Sequence, residues 1–433
     1  MVNVSRLIVA PTFIFSGFVK AVDPLGTQYK IQDYLQAAGL AEVVPDWCTL
    51  GASVLLAALE FTLGILLLFA IHRRVTSRVT VCFLTVMTLI TLWLAVANPV
   101  TDCGCFGDAI TLTNVQTLLK NVVLLALSLI IMRWPLKMMR FISRTNQWIV
   151  INYTILFILG TSVYCLYTLP IFDFRPYHIG ADIRKGMEIP EGEKGPTFDT
   201  TFILEKNCER REFTLNDYPD STWTFIDSKT VQTSEGYVPP IHDFNLERTD
   251  TGEDITDSLL QSSSYAMLLI APYLEHADDS HFGELDQIYE YCTQQGYDFY
   301  GVTASNDDAI ERWRELTGAE YPFCRADGIT LKTIIRSNPG LVLLHDGIVI
   351  RKWSHNQLPD MSALNVPLEK SEWGQLPTDQ VAVKIARILV WFVLPLLLLT
   401  LADRLWAWTR WLRRKKKEEQ TTDKLTSTKQ EKQ

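Results

Sequence analysis

The sequence is short of positive charge. Its 433 residues include 40 Lys and Arg against 49 Asp and Glu, which gives a formal net charge of −9 at pH 7. The acidic excess lies mainly in residues 171–380, so nucleic acid is not an expected partner of this polar segment. The exception is a basic run near the C-terminus, formed by Arg410, Arg413, Arg414, Lys415, Lys416 and Lys417.

The sequence also lacks a cysteine framework and the features of a cleavable leader. The eight cysteines are scattered along the chain, which excludes a small domain stapled by disulfides. Arg6 precedes only a short apolar run, and Lys20 follows that run without a small-residue cleavage site. We therefore expect the first apolar segment to be retained as a membrane span, with Lys20 reaching toward the interface.

Hydrophobic residues make up 48% of the chain and are concentrated in long runs. Six runs approach the ~20 apolar residues that cross a bilayer, so the lipid bilayer is the first expected partner. Basic residues follow the second, fourth and sixth runs, which predicts cytoplasmic N and C termini by the positive-inside rule. The expected location is a bacterial inner membrane, with residues 171–380 in the periplasm. The predicted spans are 7–22, 48–71, 79–98, 115–132, 148–170 and 383–402.

The predicted fold class is mixed, an α-helical membrane bundle joined to an extracytoplasmic α/β domain. Short connections between the first four spans favour an antiparallel bundle of four core spans with two flanking spans. The expected parts are a four-helix membrane domain (1–140), a fifth transmembrane helix (147–170), a β-rich linker region (171–234), an α/β domain (235–380), a sixth transmembrane helix (383–408) and a basic, then polar, cytoplasmic tail (409–433).

The polar segment begins with short strand-like runs and continues with alternating strands and helices. Strands are predicted at 201–204, 222–226, 243–246, 265–270 and 298–302. Helices are predicted at 281–295 and 307–317, the second with Asn306 as its N-cap. Asp346-Gly347 separates two apolar runs, which is a strong signal for a β-hairpin.

This order of elements resembles the thioredoxin fold over residues 235–360. The resemblance rests on residues 267–271 as the central strand, on Asn338-Pro339 at the position of the family's cis-proline, and on the hairpin at 341–353. Thioredoxin-like enzymes carry Cys-x-x-Cys where the central strand meets its helix, because the helix N-terminus lowers a thiol pKa. Here that position reads Ala271-Pro-Tyr-Leu-Glu-His-Ala277, without cysteine. A dithiol mechanism at this position is therefore excluded, and the domain is expected to be a binding module.

Another pair of thiols follows the third predicted span, in the motif Cys103-Gly-Cys-Phe-Gly107. Two cysteines one residue apart at a membrane surface indicate either a redox pair or a structural loop clip, and the sequence leaves both open. Gly104 permits the sharp backbone that such a ring needs, and a disulfide across one residue is expected to be strained and labile. No metal site is predicted, because only Asp102, Asp108 and Cys48 could complete one.

Glu60 and Cys48 are the other candidate site residues. Glu60 lies inside an apolar span, where a carboxylate is either a proton acceptor or a partner in an interhelical hydrogen bond. Cys48 lies at the outer start of the second span and is either a third thiol within reach of the pair or a small packing residue. The predicted catalytic residues are therefore Cys103, Cys105, Glu60 and Cys48.

The first 140 residues resemble the DoxX and MauE family of four-helix membrane proteins. Three motifs carry the resemblance, namely Phe15-Ser-Gly-Phe-Val-Lys-Ala-Val-Asp-Pro-Leu-Gly26, Glu60-Phe-Thr-Leu-Gly64, and the Cys-Gly-Cys motif with Asp108. The resemblance implies a link to electron transfer or to disulfide formation in exported proteins. One hypothesis is a thiol–disulfide oxidoreductase that passes electrons between exported protein thiols and a membrane quinone. The alternative is a non-enzymatic scaffold whose thioredoxin-like domain binds an envelope protein.

Overall fold

The computed structural model describes residues 1–98, 100, 103–195, 197–206, 209–214, 223–234, 236–360, 366–378 and 381–430. Asp102, one of the residues considered for a metal site, lies outside the described residues. The chain divides into two compact units. We call Met1–Arg175 with Pro377–Gln433 the membrane unit, and Pro176–Leu376 the α/β unit.

The membrane unit contains, among the described residues, six apolar helices long enough to cross a bilayer, which confirms a multi-pass membrane protein. Five of them precede the α/β unit, and the sixth is the C-terminal helix, Val381–Gln430. A shorter, more polar helix, α2, follows the first span. The helices before the α/β unit are α1 (Val2–Val22), α2 (Pro24–Ala37), α3 (Asp46–Leu68), α4 (Arg73–Ala97), α5 (Asn114–Arg133) and α6 (Gln147–Tyr167).

Helices α1 and α3 cross at backbone contact because each presents a glycine to the other. A Cβ added to Gly17 would lie 2.3 Å from the Phe61 nitrogen, and one added to Gly64 would lie 2.8 Å from the Ile14 nitrogen. Small residues allow membrane helices to approach this closely. The crossing fixes the register of the two helices, on which the candidate site depends.

Two features near the N-terminus correct the sequence prediction. The first span is expected at 7–22, but α1 begins at Val2 and includes Arg6, whose buried guanidinium donates to the Met139 carbonyl oxygen at 2.6 Å. No helix is predicted in the segment between the first two spans. This segment forms α2, because the Asp23 carboxylate accepts a hydrogen bond from the backbone of the first turn and caps the helix.

The described residues of the α/β unit form two sheets. Strands β1 (Thr197–Lys206), β2 (Glu209–Thr214) and β3 (Thr224–Ser234) form an antiparallel sheet in the order β2-β1-β3. The second sheet is formed by β4 (Glu247–Arg248), β5 (Tyr265–Ala271), β6 (Asp298–Thr303), β7 (Phe323–Arg325), β8 (Gly340–His345) and β9 (Ile348–Ser354). The helices of this unit are α7 (Ile183–Met187), α8 (Thr256–Gln261), α9 (Phe282–Gln295), α10 (Asp307–Thr317) and α11 (Gly328–Ile334).

The six-stranded sheet has the thioredoxin-like topology that the sequence predicts. Its strand order is β4-β7-β6-β5-β8-β9, with β5, β6 and β7 parallel, β8 antiparallel to β5, and β9 antiparallel to β8. Strand β5 is central and buried along its whole length. The Asn338-Pro339 peptide bond before β8 is cis. Asn306 caps α10, and the hairpin turns at Asp346 and Gly347 with φ of 51° and 71°, both as predicted.

The predicted strand at 243–246 is wrong. These residues have no regular secondary structure, and sheet pairing starts only at Glu247–Arg248, which pairs with β7. Phe244 and Leu246 are nevertheless buried. The alternation that suggests a strand therefore reflects two apolar side chains that pack into the core without a partner strand.

Candidate functional site

The Cys-Gly-Cys motif lies in the loop between α4 and α5. Gly104 and Gly107 have φ of 61° and 54°, in the left-handed region that favours glycine. A Cβ added to Gly104 would lie 3.0 Å from Lys30 Cγ, so α2 covers the loop closely at this point. Cys103 and Cys105 are both free thiols, the first buried and the second half-buried.

Two side chains of α1 contact the Cys105 carbonyl oxygen, and a carboxylate of α3 contacts both of them. Lys20 Nζ donates to this oxygen at 2.8 Å, to Glu60 Oε2 at 2.7 Å and to Ser16 Oγ at 2.8 Å. Ser16 Oγ lies 2.8 Å from the same carbonyl oxygen and 2.7 Å from Glu60 Oε2, and its one proton can be donated to either. All three side chains are buried. We call Ser16, Lys20 and Glu60 the carbonyl clamp.

The loop is also anchored from α2 and α5. The Tyr34 hydroxyl of α2 donates a hydrogen bond to the Cys103 carbonyl oxygen. From α5, Lys120 Nζ lies 4.2 Å from the centroid of the Phe106 ring, within the range of a cation–π interaction. The Phe15 ring of α1 lies 5.5 Å from the same ring, centroid to centroid. Three helices therefore fix the position of the loop.

The two thiols titrate as a pair. A hydrogen bond from Cys103 lowers the pKa of Cys105, and the positive charges of Lys120 and Lys20 lower it further, against the opposing effect of burial. The same hydrogen bond, together with burial, raises the pKa of Cys103. Cys105 is therefore the sulfur that becomes a thiolate, which is the nucleophilic form of cysteine, while Cys103 keeps the shared proton.

A cavity of about 280 Å³ lies beside the loop, inside the membrane unit. Both cysteines and the carbonyl clamp line its polar end. Much of the remaining wall is apolar and comes from α4 and α5, through Phe83, Leu84, Met87, Ile90, Leu94 and Leu124. A mainly apolar cavity with a few convergent polar groups is typical of a small-molecule site. In the described part of the chain, no cluster of three or more His, Cys, Asp or Glu could hold a metal ion.

The structure brings together three of the four predicted site residues. Glu60 reaches the thiol loop through the clamp, whereas Cys48 lies in the first turn of α3 and does not line the cavity. Ser16 and Lys20 lie four residues apart and so on one face of α1. This spacing could have identified both residues from the sequence, because the carboxylate in the next span needs a partner. The side chains that the sequence prediction missed are Ser16, Lys20, Tyr34 and Lys120.

In the α/β unit, the described residues at the end of β5 include no cysteine. The chain passes from β5 into a short 3-10 turn, Leu274–His276, where Glu275 and His276 are exposed. Cys292 in α9 and Cys324 in β7 are both 0% exposed, and burial raises the pKa of each thiol to about 12. Both cysteines are therefore unreactive packing residues.

The α1–α5 region and its thiol loop are similar to a known family. Residues 1–134 match the family model of the methylamine utilisation protein MauE. The match confirms the MauE part of the resemblance, while the DoxX part stays a prediction. It spans the MauE-like helices α1–α5, the Cys-Gly-Cys loop, the carbonyl clamp and the cavity.

The α/β unit has two further similarities. Residues 198–235 match a domain of unknown function, DUF8463. A solution structure of a "putative protein disulfide isomerase" from Bacteroides thetaiotaomicron is 18% identical, with a TM-score of 0.24, and the alignment covers 28% of this chain and 80% of that one. This TM-score is too low to add to the topology described above. No curated protein matches the chain.

Proposed function

We propose that the protein is a membrane thiol–disulfide oxidoreductase whose working pair is Cys103 and Cys105. One observation carries the proposal, namely that two thiols one residue apart lie at the polar end of an apolar cavity among membrane helices. A loop clip requires neither a thiol of lowered pKa nor a cavity beside it. The MauE match supports the proposal in that it covers the loop, the clamp and the cavity together.

The proposed cycle starts from a disulfide between Cys103 and Cys105. A thiolate of an exported protein attacks one of these sulfurs, the bond between the two cysteines breaks, and a mixed disulfide forms. The second thiol of the exported protein then displaces the cysteine, which leaves a disulfide in the exported protein and two reduced cysteines in the loop. Two electrons and two protons are transferred to the membrane protein in this exchange.

A membrane quinone is the oxidant that we assign to the return step. When bound, a quinone accepts two electrons and two protons, which balances the oxidation of two thiols to one disulfide. The cavity suits the ring of such a molecule, because Phe83, Met87 and Leu124 supply apolar walls and the two cysteines lie at the polar end. A volume of about 280 Å³ suits the ring, with a hydrophobic tail left in the bilayer.

We also propose that the thiol loop and the α/β unit face the periplasm of a bacterial inner membrane, with both termini in the cytoplasm. The proposal rests on the basic residues that follow the second, fourth and sixth spans, which favour the cytoplasmic side. In this orientation the cysteines meet exported proteins in a compartment where disulfides persist.

Thiol mapping in intact cells tests the proposal. The full chain is treated with a membrane-impermeant maleimide, with and without mild reductant, and each cysteine is read by mass spectrometry. We expect Cys103 and Cys105 to be labelled only after reduction. We also expect Cys103→Ser to increase the reduced fraction of exported thiol proteins, whereas Cys82→Ser, at an exposed position of α4, should not. An unchanged redox state of exported proteins in Cys103→Ser cells contradicts the proposal.

A non-enzymatic scaffold is the second candidate, favoured by the lack of a thiol at the end of β5. In this case the α/β unit binds an envelope protein, and the Cys-Gly-Cys loop is only a structural clip. Photo-crosslinking from Tyr273, which is exposed directly after β5, should then recover a defined envelope protein. The Cys103→Ser cells should at the same time show no redox change.

A further inference from the structure

We infer that the carbonyl clamp is a positioning device, which holds the backbone of Cys105 so that the two thiols stay within reach of each other. This inference rests on the proposed function, because it concerns how Cys103 and Cys105 close to a disulfide. Ser16, Lys20 and Glu60 do not need to contact a reacting sulfur in this role. They act through the carbonyl oxygen of Cys105.

The hydrogen bonds of Lys20 support a fixed position. An ammonium group has three donors, and Lys20 uses them on three acceptors, at 2.8 Å to the Cys105 carbonyl oxygen, 2.7 Å to Glu60 and 2.8 Å to Ser16. The Lys20 side chain is only 6% exposed, so water offers no ready replacement for a lost partner. Moving this ammonium toward a sulfur atom would therefore leave a buried donor or acceptor unpaired, which is costly.

Glu60 holds the two side chains of α1 in place. Its Oε2 atom accepts from Lys20 Nζ at 2.7 Å and lies 2.7 Å from Ser16 Oγ, so both side chains are kept beside the Cys105 carbonyl oxygen. The two opposite charges compensate each other, as a buried ion pair must. Glu60 thus serves the loop as a positioning residue, and its intramembrane carboxylate is accounted for without a proton-transfer step.

Anchoring the carbonyl groups constrains the thiols because the loop between them is so short. One residue, Gly104, separates the cysteines, and its left-handed backbone sets their relative direction. The clamp holds the carbonyl of Cys105, and Tyr34 holds the carbonyl of Cys103. Both ends of the prospective ring are therefore fixed before the bond forms, which reduces the entropy lost on closure.

The test measures disulfide closure in the purified full-length protein in nanodiscs. The dithiol is equilibrated with oxidised glutathione, so that one glutathione disulfide is reduced to two thiols for each loop disulfide formed, and the loop peptide is quantified by mass spectrometry. The test variants are Ser16→Ala and the double variant Lys20→Met with Glu60→Leu, which removes both charges together. Ser53→Ala is the matched control, because Ser53 is also buried and also donates to a backbone carbonyl, that of Pro24, at 2.7 Å.

We expect the equilibrium constant for closure to fall by about tenfold in Ser16→Ala and by more in the double variant, as loss of buried hydrogen bonds implies. Ser16→Thr keeps the hydroxyl, so its equilibrium constant for closure should stay within about twofold of that of the unsubstituted protein. Ser53→Ala should also change this constant by no more than about twofold. Thermal unfolding is measured in parallel. If Ser16→Ala fails to fold, the double variant decides the question.

The positioning role is overturned if the folded clamp variants close as readily as Ser53→Ala. That result would leave the proposed function standing, since the latter is tested by the redox state of exported proteins in cells. Conversely, a clamp effect on closure together with unchanged exported proteins in Cys103→Ser cells supports the positioning role and removes the proposed function. The two failures are therefore distinguishable.

Discussion

Replacing Cys103 should change the ionisation of Cys105, which makes this replacement the most direct test of the thiol pair. The hydrogen bond from Cys103 is the largest cause of the low pKa of Cys105. Cys103→Ala removes this donor, so the pKa of Cys105 should rise. A hydrogen bond to a charged group contributes ~1.5–3 kcal/mol, and one pKa unit corresponds to ~1.36 kcal/mol, so we expect a rise of about one to two units.

Alkylation by iodoacetamide measures this change, because only the thiolate reacts quickly. A thiolate is present above its pKa and is lost as the pH falls through that value. The rate at Cys105 is followed in the full chain by mass spectrometry between about pH 5 and 9, a range that brackets the ordinary value for cysteine. At neutral pH, Cys103→Ala should react more slowly than the unsubstituted protein, and Cys103→Ser, which keeps an O–H donor, should be intermediate.

Lys120 provides the matched electrostatic comparison. Lys120→Met removes a charge that lowers the pKa of Cys105. The pH midpoint of Cys105 alkylation should therefore also rise in this variant, but by less than in Cys103→Ala. Lys120→Arg keeps the charge and should change the midpoint little. If the Cys103→Ala midpoint equals that of the unsubstituted protein, the two thiols do not share a proton and the reasoning is wrong. A larger shift in Lys120→Met would show that charge, not hydrogen bonding, is the main cause.

Two further predictions concern the helix crossing and the buried thiols. Gly17→Ala should lower the Tm of the full chain, because the added Cβ would lie 2.3 Å from the Phe61 nitrogen and overpacking costs ~1–3 kcal/mol. Gly160→Ala, with nothing within 4 Å, is the control, and an equal Tm in both variants would contradict the close crossing. Cys292 and Cys324 should resist maleimide in the native protein and react after unfolding, because both are 0% exposed. Native labelling of either would contradict its place in the core.

Much of the fold is predictable because it is specified over short stretches of chain. Long apolar runs locate the spans, and the change to alternating strands and helices indicates the α/β unit. Helix α2 is missed because it has too few apolar residues to be recognised as a span, and it depends on the Asp23 cap. The strand prediction at 243–246 is wrong for a different reason. The apolar side chains of this segment are buried by tertiary contacts without strand pairing, which local alternation does not distinguish.

The candidate site is only partly predictable, because its two halves come from separate helices. The thiol pair and Glu60 stand out by residue type and position alone. A lysine near the end of a span is ordinarily expected to reach the interface, so Lys20 by itself does not indicate a buried ion pair. Its partner is 40 residues away, and the pairing depends on the register that Gly17 and Gly64 give to α1 and α3. That register is a tertiary property that a single sequence does not display.

Stability alone does not account for the buried Lys20–Glu60 pair. Removing two charges from water costs several kcal/mol for each ion, and apolar side chains of similar volume are often as stable or more so. Such side chains could fill the same space between α1 and α3. They could not donate to the Cys105 carbonyl oxygen, as Lys20 does at 2.8 Å. The cost of burying this pair is therefore best explained by the position that it imposes on the thiol loop, which connects the crossing of two membrane helices to the chemistry of Cys103 and Cys105.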